Sequence, residues 1–236
     1  MYAAWLHDSA DDAREDPVFP LVALVVSGGH TFLVEMRDHL TYRLLGSTVD
    51  DAAGEAFDKV GRLLGLGYPG GPAISRAAEG AIGRDRAFPR AWLGDSFDFS
   101  FSGLKTAARR IVTEARADEG LPADPEVPLS DRTVAELAWG FQDAVVDVLV
   151  TKTVRAATAA GARSIVLGGG VASNSALRAR LAAEADGLGI PLVVPRQALC
   201  TDNGAMIGAA GARRLAAGER TGLELDARPS LPLAAR

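Results

Sequence analysis

The stretch VALVVSGGH at residues 22–30 constrains this chain more than any other. Its five consecutive aliphatic residues are too few for an ordinary helix and show no polar alternation, so they read as a strand buried on both faces. Gly28 and Gly29 end it, and a second apolar run at 31–36 begins at once. A glycine pair supplies the positive-φ backbone of a two-residue hairpin turn, so the two runs predict a hairpin. The turn also has a chemical reading. Outward-pointing backbone N–H groups at a glycine turn, with the Ser27 hydroxyl beside them, form a cradle for phosphate that needs no cationic side chain. Taken alone, the stretch favours the plain hairpin, because a short motif is only a hypothesis until its context is known.

The 236 residues suffice for one large domain or two modest ones with a sizeable core. No apolar run approaches the roughly 20 residues of a membrane-spanning helix. The N-terminal MYAAWLHDSADDARED lacks the basic segment and apolar core of a secretory signal. The single cysteine, Cys200, excludes an internal disulfide and points to a reducing cytosol. A net charge of −5 excludes a generally basic surface, so a nucleic-acid partner would need a local patch.

Residues 2–6 read as the last turns of a helix, 8–16 as an acidic loop, and 42–45 as a third extended segment. Three strands in a row followed by helices predict a mixed sheet with helices packed on it. Residues 50–66 are helical in pattern, with Ala53, Phe57, Val60 and Leu64 as the core stripe. Asp51, Glu55 and Asp58 share one face, either solvated or turned toward ribose hydroxyls or magnesium. GYPGGP at 67–72 is a turn cluster opening a short helix through Ala78, with glycines that mark a sharp bend or a close ligand approach. FDFSFS at 97–102 alternates as a half-buried strand does, and Gly103 opens an amphipathic helix carrying Lys105, Arg109 and Arg110. Residues 117–129 read as a surface loop. Ser130 caps a long helix with Val134, Leu137, Phe141, Val145 and Val148 as its stripe, which reads as scaffold continuing, either unbroken or after a break, to Ala160. A strand at 164–167, three glycines (168–170) and a helix capped by Ser173 or Asn174 follow, favouring an anionic ligand against bare backbone. Residues 190–194 are another strand. Asp202 precedes a final helix, 205–217, as an N-cap or as a metal or nucleotide contact, and the chain after Asp226 reads as a loose tail.

Four segments in order are SGGHT (27–31), DDAAGEAFDK (50–59), DFSFSGLKT (98–106) and CTDNGAM (200–206). Together with GYPGGP and LGGGVASN (167–174), they resemble the tRNA threonylcarbamoyladenosine transferase family, TsaD, once misnamed O-sialoglycoprotein endopeptidases. The resemblance covers nearly the whole chain. It implies an α/β fold of the actin-like ATPase (ASKHA, RNase H-like) type, here mainly the second lobe plus the C-terminal helix. Residues 1–19 would be a remnant of the inter-lobe helix and loop, 20–200 the second lobe, and 201–236 a helix and tail packing on the first lobe.

The family transfers a threonylcarbamoyl group from threonylcarbamoyl-AMP to N6 of the adenosine next to the anticodon, in tRNAs reading ANN codons. Carried over, the adenylate-binding positions are Val25, Val26, Ser27, Gly28, Gly29, Asp58, Gly71 and Asn174. Asp202 would be one ligand of a divalent metal, Fe(2+) or zinc. The implied partners are tRNA and TsaB-like and TsaE-like proteins in the cytoplasm, with no membrane. AMP leaves as a stabilised phosphate, so preorganised donors and a Lewis acid suffice without a nucleophilic side chain or a named general base.

The family's H-x-x-x-H helix, which supplies two further ligands, is not matched: His7, His30 and His39 lack that spacing. The expectation is a chain that lacks the first lobe, binds metal poorly alone, does not modify tRNA alone, and exposes the apolar face of helix 205–217. The arginines of 84–90 and the basic residues of 105–110 are candidates for the tRNA face. The competing readings are a non-catalytic scaffold paralogue of the same complex, an ATP-binding sugar kinase of the same fold, and a peptidase. The sequence shows no sugar-recognition, H-E-x-x-H or triad motif for the last two.

Overall fold

Burial of successive side chains on both faces makes β1 (Leu21–Val26) the central strand, with only Val25 partly exposed. In this computed structural model, which describes residues 1–7, 15–83, 85–122, 124, 127–226 and 233, five strands form one mixed sheet in the order β3-β2-β1-β4-β5. β2 (Thr31–Met36) pairs antiparallel with β1, Val26 opposite Thr31, and β3 (Tyr42–Ser47) continues the meander. β4 (Ser164–Gly168) lies parallel to β1 on its other side, and the short β5 (Leu192–Val193) closes that edge. A parallel neighbour demands a crossover. The helices α1 (Ala53–Leu63), α2 (Gly70–Glu79), α3 (Ser102–Asp118) and α4 (Asp131–Ala160) lie between β3 and β4. α5 (Ser175–Gly187) joins β4 to β5, and α6 (Gly204–Ala216) comes last.

The alternation of β1 divides the core. Val22, Leu24 and Val26 enter the large cluster with Phe57, Phe141 and Leu149, whereas Leu21 and Ala23 join Val34, Met36, Val166, Tyr2 and Ala4 on the opposite face. α4 has apolar residues nearly all round, which is why a 30-residue helix is buried for most of its length. It is unbroken. The Ser130 hydroxyl caps its start by accepting from Thr133 N, and Gly161 ends it at φ 58°. Lys152 on α4 is fully buried, and its Nζ donates to the carbonyls of Trp92 and Ser96 at 2.6 Å each. Burial pushes its pKa down.

Several expectations change. FDFSFS is not a strand: it makes a single bridge, Thr48 to Phe99, and its alternation buries Phe99 and Phe101 under α3 and α4 rather than building a ladder. Residues 2–5 form a short 3-10 helix, the 190–194 strand shrinks to two residues, and α1 begins after Asp51. The 117–129 loop starts later, since α3 runs to Asp118. Most of the acidic loop (8–14), Arg84 and the tail from 227, except 233, lie outside the described residues.

Candidate functional site

The carboxyl ends of the parallel neighbours β1 and β4 open on one side of the sheet, where α/β folds hold their ligands. After β1, Ser27 N donates to His30 O (2.8 Å), and His30 N donates to Ser27 Oγ (3.1 Å). The Ser27 carbonyl, which would close an ordinary two-residue hairpin, instead accepts from Gly54 N of α1 at 3.2 Å. This overturns one expectation: neither Gly28 nor Gly29 has a left-handed φ. A Cβ on either would meet nothing within 4 Å. Both are exposed, and their N–H groups have no partner among the described residues.

The walls around this loop do require glycine. A Cβ on Gly54 would lie 2.5 Å from Ser27 O and 2.8 Å from Gly28 Cα. Gly169, at φ 91°, would place one 2.2 Å from Val26 O. The first turn of α1 and the loop after β4 are therefore pressed onto the end of β1.

Asp58 Oδ1 accepts from Gly70 N at 2.8 Å and so holds the first turn of α2 against α1. Gly71 follows, with open space where a Cβ would stand. One turn further, Ser75 bonds to Asn174 and to Gln142 of α4. Asn174, not Ser173, caps α5, accepting from Leu177 N at 2.9 Å. The residues at 25–29, Asp58, Gly71 and Asn174, far apart in the chain, are thus joined through α1, α2 and the start of α5.

The other predicted groups fare differently. Asp51 and Glu55 both pair with Lys59 Nζ, at 2.6 and 3.0 Å, so the carboxylate face of α1 is largely neutralised from within. Asp202 is exposed and is not an N-cap; Asn203 takes that role through Met206 N. Among the described residues no group of three or more His, Cys, Asp or Glu is placed to hold a metal. His7 pairs with Asp16, His30 lies by Phe32, and His39 sits among Tyr2, Trp5 and Phe19, where burial lowers its pKa. Arg90 is bound between Asp143 and Asp147, Arg86 pairs with Asp118 and Arg110 with Glu114, leaving Lys105 and Arg109 exposed on α3. α6 packs against the 2–5 helix and leaves Ile207 and Leu215 exposed.

Two residues beside the site went unsingled in the sequence. Asp50 accepts from Ser100 Oγ, Ser102 Oγ, Phe101 N and Ser102 N, tying DDAAGEAFDK to the start of α3. Burial pushes its carboxyl up, but these hydrogen bonds outweigh it and hold the pKa below the ordinary value. Gln142 is a buried polar residue within the apolar stripe of α4, and that interruption was the one available signal.

A profile of the family described as tRNA N6-adenosine threonylcarbamoyltransferase matches residues 3–209. Curated relatives of that name include one from Thermomicrobium roseum, 51% identical over all of this chain and 66% of its own length. Another, from Symbiobacterium thermophilum, is 50% identical over 92% of this chain and 60% of its own length. One from Bacillus thuringiensis is 49% identical over 97% and 64%. The chain therefore spans under two thirds of these relatives' length. Among solved structures, full-length HypF in its phosphate- and nucleotide-bound form has a TM-score of 0.57 at 13% identity, covering 83% of this chain and 33% of that one. That likeness concerns fold alone, and with the sheet order it agrees with the expected α/β actin-like ATPase fold.

Proposed function

Because the chain belongs to the tRNA N6-adenosine threonylcarbamoyltransferase family, we propose that it contributes one wall of a site that binds threonylcarbamoyl-AMP and transfers its acyl group to N6 of a tRNA adenosine. The observation that carries this reading is the Gly28–Gly29 pair. Neither turn geometry nor packing demands glycine at either position, yet both residues are exposed and their N–H groups have no partner among the described residues. Glycine without a structural reason is what a ligand lying directly on backbone requires.

In this reading the N–H groups of Gly28 and Gly29 hold the adenylate phosphate without reorganising. Ser27 Oγ is a further polar group at its edge. Asp58 acts indirectly, by fixing the start of α2 so that Gly71 and the helix N-terminus face the nucleotide. Asn174 meets it from the start of α5. Attack by N6 on the carbamoyl carbon forms the new C–N bond as the bond to the phosphate oxygen breaks, and N6 gives up one proton to solvent. AMP carries away the electron pair, and the donors holding its phosphate stabilise the charge that develops there.

The family resemblance also implies a divalent metal, iron or zinc. Asp202 offers one carboxylate where such an ion takes three or four protein ligands, so the described residues do not by themselves make a metal centre. We read residues 20–200 as the second lobe, 1–19 as the end of an inter-lobe segment, and 201–236 as a helix and tail that pack on the first lobe. The exposed Ile207 and Leu215 support that last assignment. tRNA and TsaB-like and TsaE-like proteins are the partners in this reading, and the single, buried Cys200 fits a cytoplasmic setting. No helix among the described residues is long and apolar enough to cross a membrane.

Calorimetric titration of residues 1–236 with AMP and with zinc, beside a transfer assay on an ANN-decoding tRNA transcript, tests the proposal. The expected result is measurable AMP binding, weak zinc binding and no transfer by this chain alone. Absence of AMP binding overturns the nucleotide site, and full transfer by residues 1–236 overturns the one-wall reading.

A further inference from the structure

Transfer to N6 leaves one proton to be removed, and the titratable groups around the candidate site differ in their freedom to take it. Asp50 is filled by two hydroxyls and two backbone N–H groups. Asp51 and Glu55 are paired with Lys59, and Asp58 is engaged with Gly70 N. His30, the residue after the glycine pair, is exposed, and its imidazole makes no hydrogen bond or ion pair among the described residues. Imidazole is the side chain that takes up and releases a proton near neutral pH.

The backbone fixes where this ring stands. His30 N donates to Ser27 Oγ and His30 O accepts from Ser27 N, so the loop closes on itself at this residue. Thr31 turns the other way: it is fully buried, and its Oγ1 accepts from Ala53 N of α1 at 3.0 Å. Side chains two apart share a face of a strand. The His30 ring accordingly lies 5.2 Å from that of Phe32, which packs in the cluster of Tyr2 and Ala209. α1, α2 and α5 bury Phe57, Ile74 and Leu177 in the other cluster. His30 is therefore on the sheet face opposite these helices. In an acyl adenylate the phosphate lies between the nucleoside and the acyl group. With the nucleoside toward α1, α2 and α5 and the phosphate on Gly28 and Gly29, the acyl end reaches the His30 side.

From this placement we infer that His30 is a catalytic residue, the base that receives the proton of the attacking N6. The inference rests on the nucleotide reading above. N6 forms the C–N bond and passes one proton to the imidazole. The C–O bond to the phosphate breaks with its electron pair going to AMP, and the imidazolium returns the proton to solvent.

Single-turnover transfer by the intact enzyme, from threonylcarbamoyl-AMP to an ANN-decoding tRNA transcript across about pH 5 to 8, tests it. His30→Ala and His30→Gln should each lower the rate about 100-fold, abolish the rise with pH that the parent shows, and leave the metal content unchanged. In residues 1–236 both variants should bind AMP within about twofold of the parent. Imidazole in the buffer should restore part of the His30→Ala rate. Rates within about threefold of the parent, a pH limb that persists in both variants, or a loss matched by lost AMP affinity or lost metal overturns the inference. Full rate in His30→Gln alone also overturns it, since glutamine keeps a hydrogen bond but takes up no proton. If the parent binds no AMP, the nucleotide reading falls and this inference with it; AMP binding by the parent with unaffected transfer in both variants removes this inference alone.

Discussion

The loop at 27–30 and the strip at 100–102 offer similar donors, serine hydroxyls and backbone N–H groups beside the start of a helix, yet they end in opposite states. At 100–102 the chain supplies its own anion. Asp50 takes two hydroxyls and two N–H groups, and the strip becomes a joint between β3 and α3. At 27–30 the Gly28 and Gly29 N–H groups receive nothing from the described residues. The same donor chemistry is a joint where an internal carboxylate fills it and a candidate binding site where none does. The glycines sharpen the contrast: Gly54 is needed so that α1 can press on the loop, whereas Gly28 and Gly29 have room for a side chain.

Gly54→Ala attacks the loop from behind. Its Cβ would fall 2.5 Å from a backbone oxygen that belongs to the loop itself. We expect a loss of about 3 kcal/mol in urea unfolding, together with AMP binding, because neither backbone can yield cheaply. Asp50→Ala empties the filled strip. It should cost about 1 to 2 kcal/mol, in the range of a lost helix cap, and leave AMP affinity within about twofold of the parent. A matching loss of AMP binding would mean that the two regions are not separate.

Gly28→Ala is the converse. Unfolding should shift by less than about 0.5 kcal/mol while AMP affinity falls about tenfold. Unchanged affinity would leave the glycine pair without an explanation.

Acid titration probes the filled strip further. In Glu119 the hydrogen bonds from Ser130 and Thr133 hold the carboxyl below its ordinary value; in Asp50 burial opposes, but is outweighed by, the bonds from Ser100, Ser102 and Phe101. A carboxylate depressed on folding contributes stability that is complete above its unfolded pKa, about 3.9 for Asp and 4.3 for Glu, and is lost as pH falls through the lower folded value. Asp50→Asn should therefore lessen the fall in stability below about pH 4 seen by circular dichroism, and an unaltered acid limb would count against these bonds. The smallest effect concerns α3: Lys105→Glu with Arg109→Glu should weaken tRNA binding by the intact enzyme and reduce the salt slope by about 2, whereas unchanged binding removes α3 from the tRNA face.

Much of the fold was legible locally. Aliphatic runs marked β1 and β2, the 3.6-residue stripe and Ser130 marked α4, and a cap at Ser173 or Asn174 marked α5, because each depends on neighbours within a turn or a strand pairing. The ordered motifs also carried the family. FDFSFS misled because alternation reports burial, not pairing, and burial here comes from helices above it rather than from a ladder.

What the chain determined by itself was thus the set of elements and the chemical types gathered near them: glycines after two strands, a hydroxyl strip, and carboxylates on one face of the first helix. The assignment of partners was decided only in three dimensions. Asp50 meets residues some fifty positions away, Gln142 meets Asn174 and Ser75, and the Ser27 carbonyl turns to Gly54 rather than closing its own hairpin. The reason is that a hydrogen-bonding group accepts any partner of the right polarity. Which partner it receives, and which N–H is left for a ligand, is set by the packing that brings distant segments within about 3 Å.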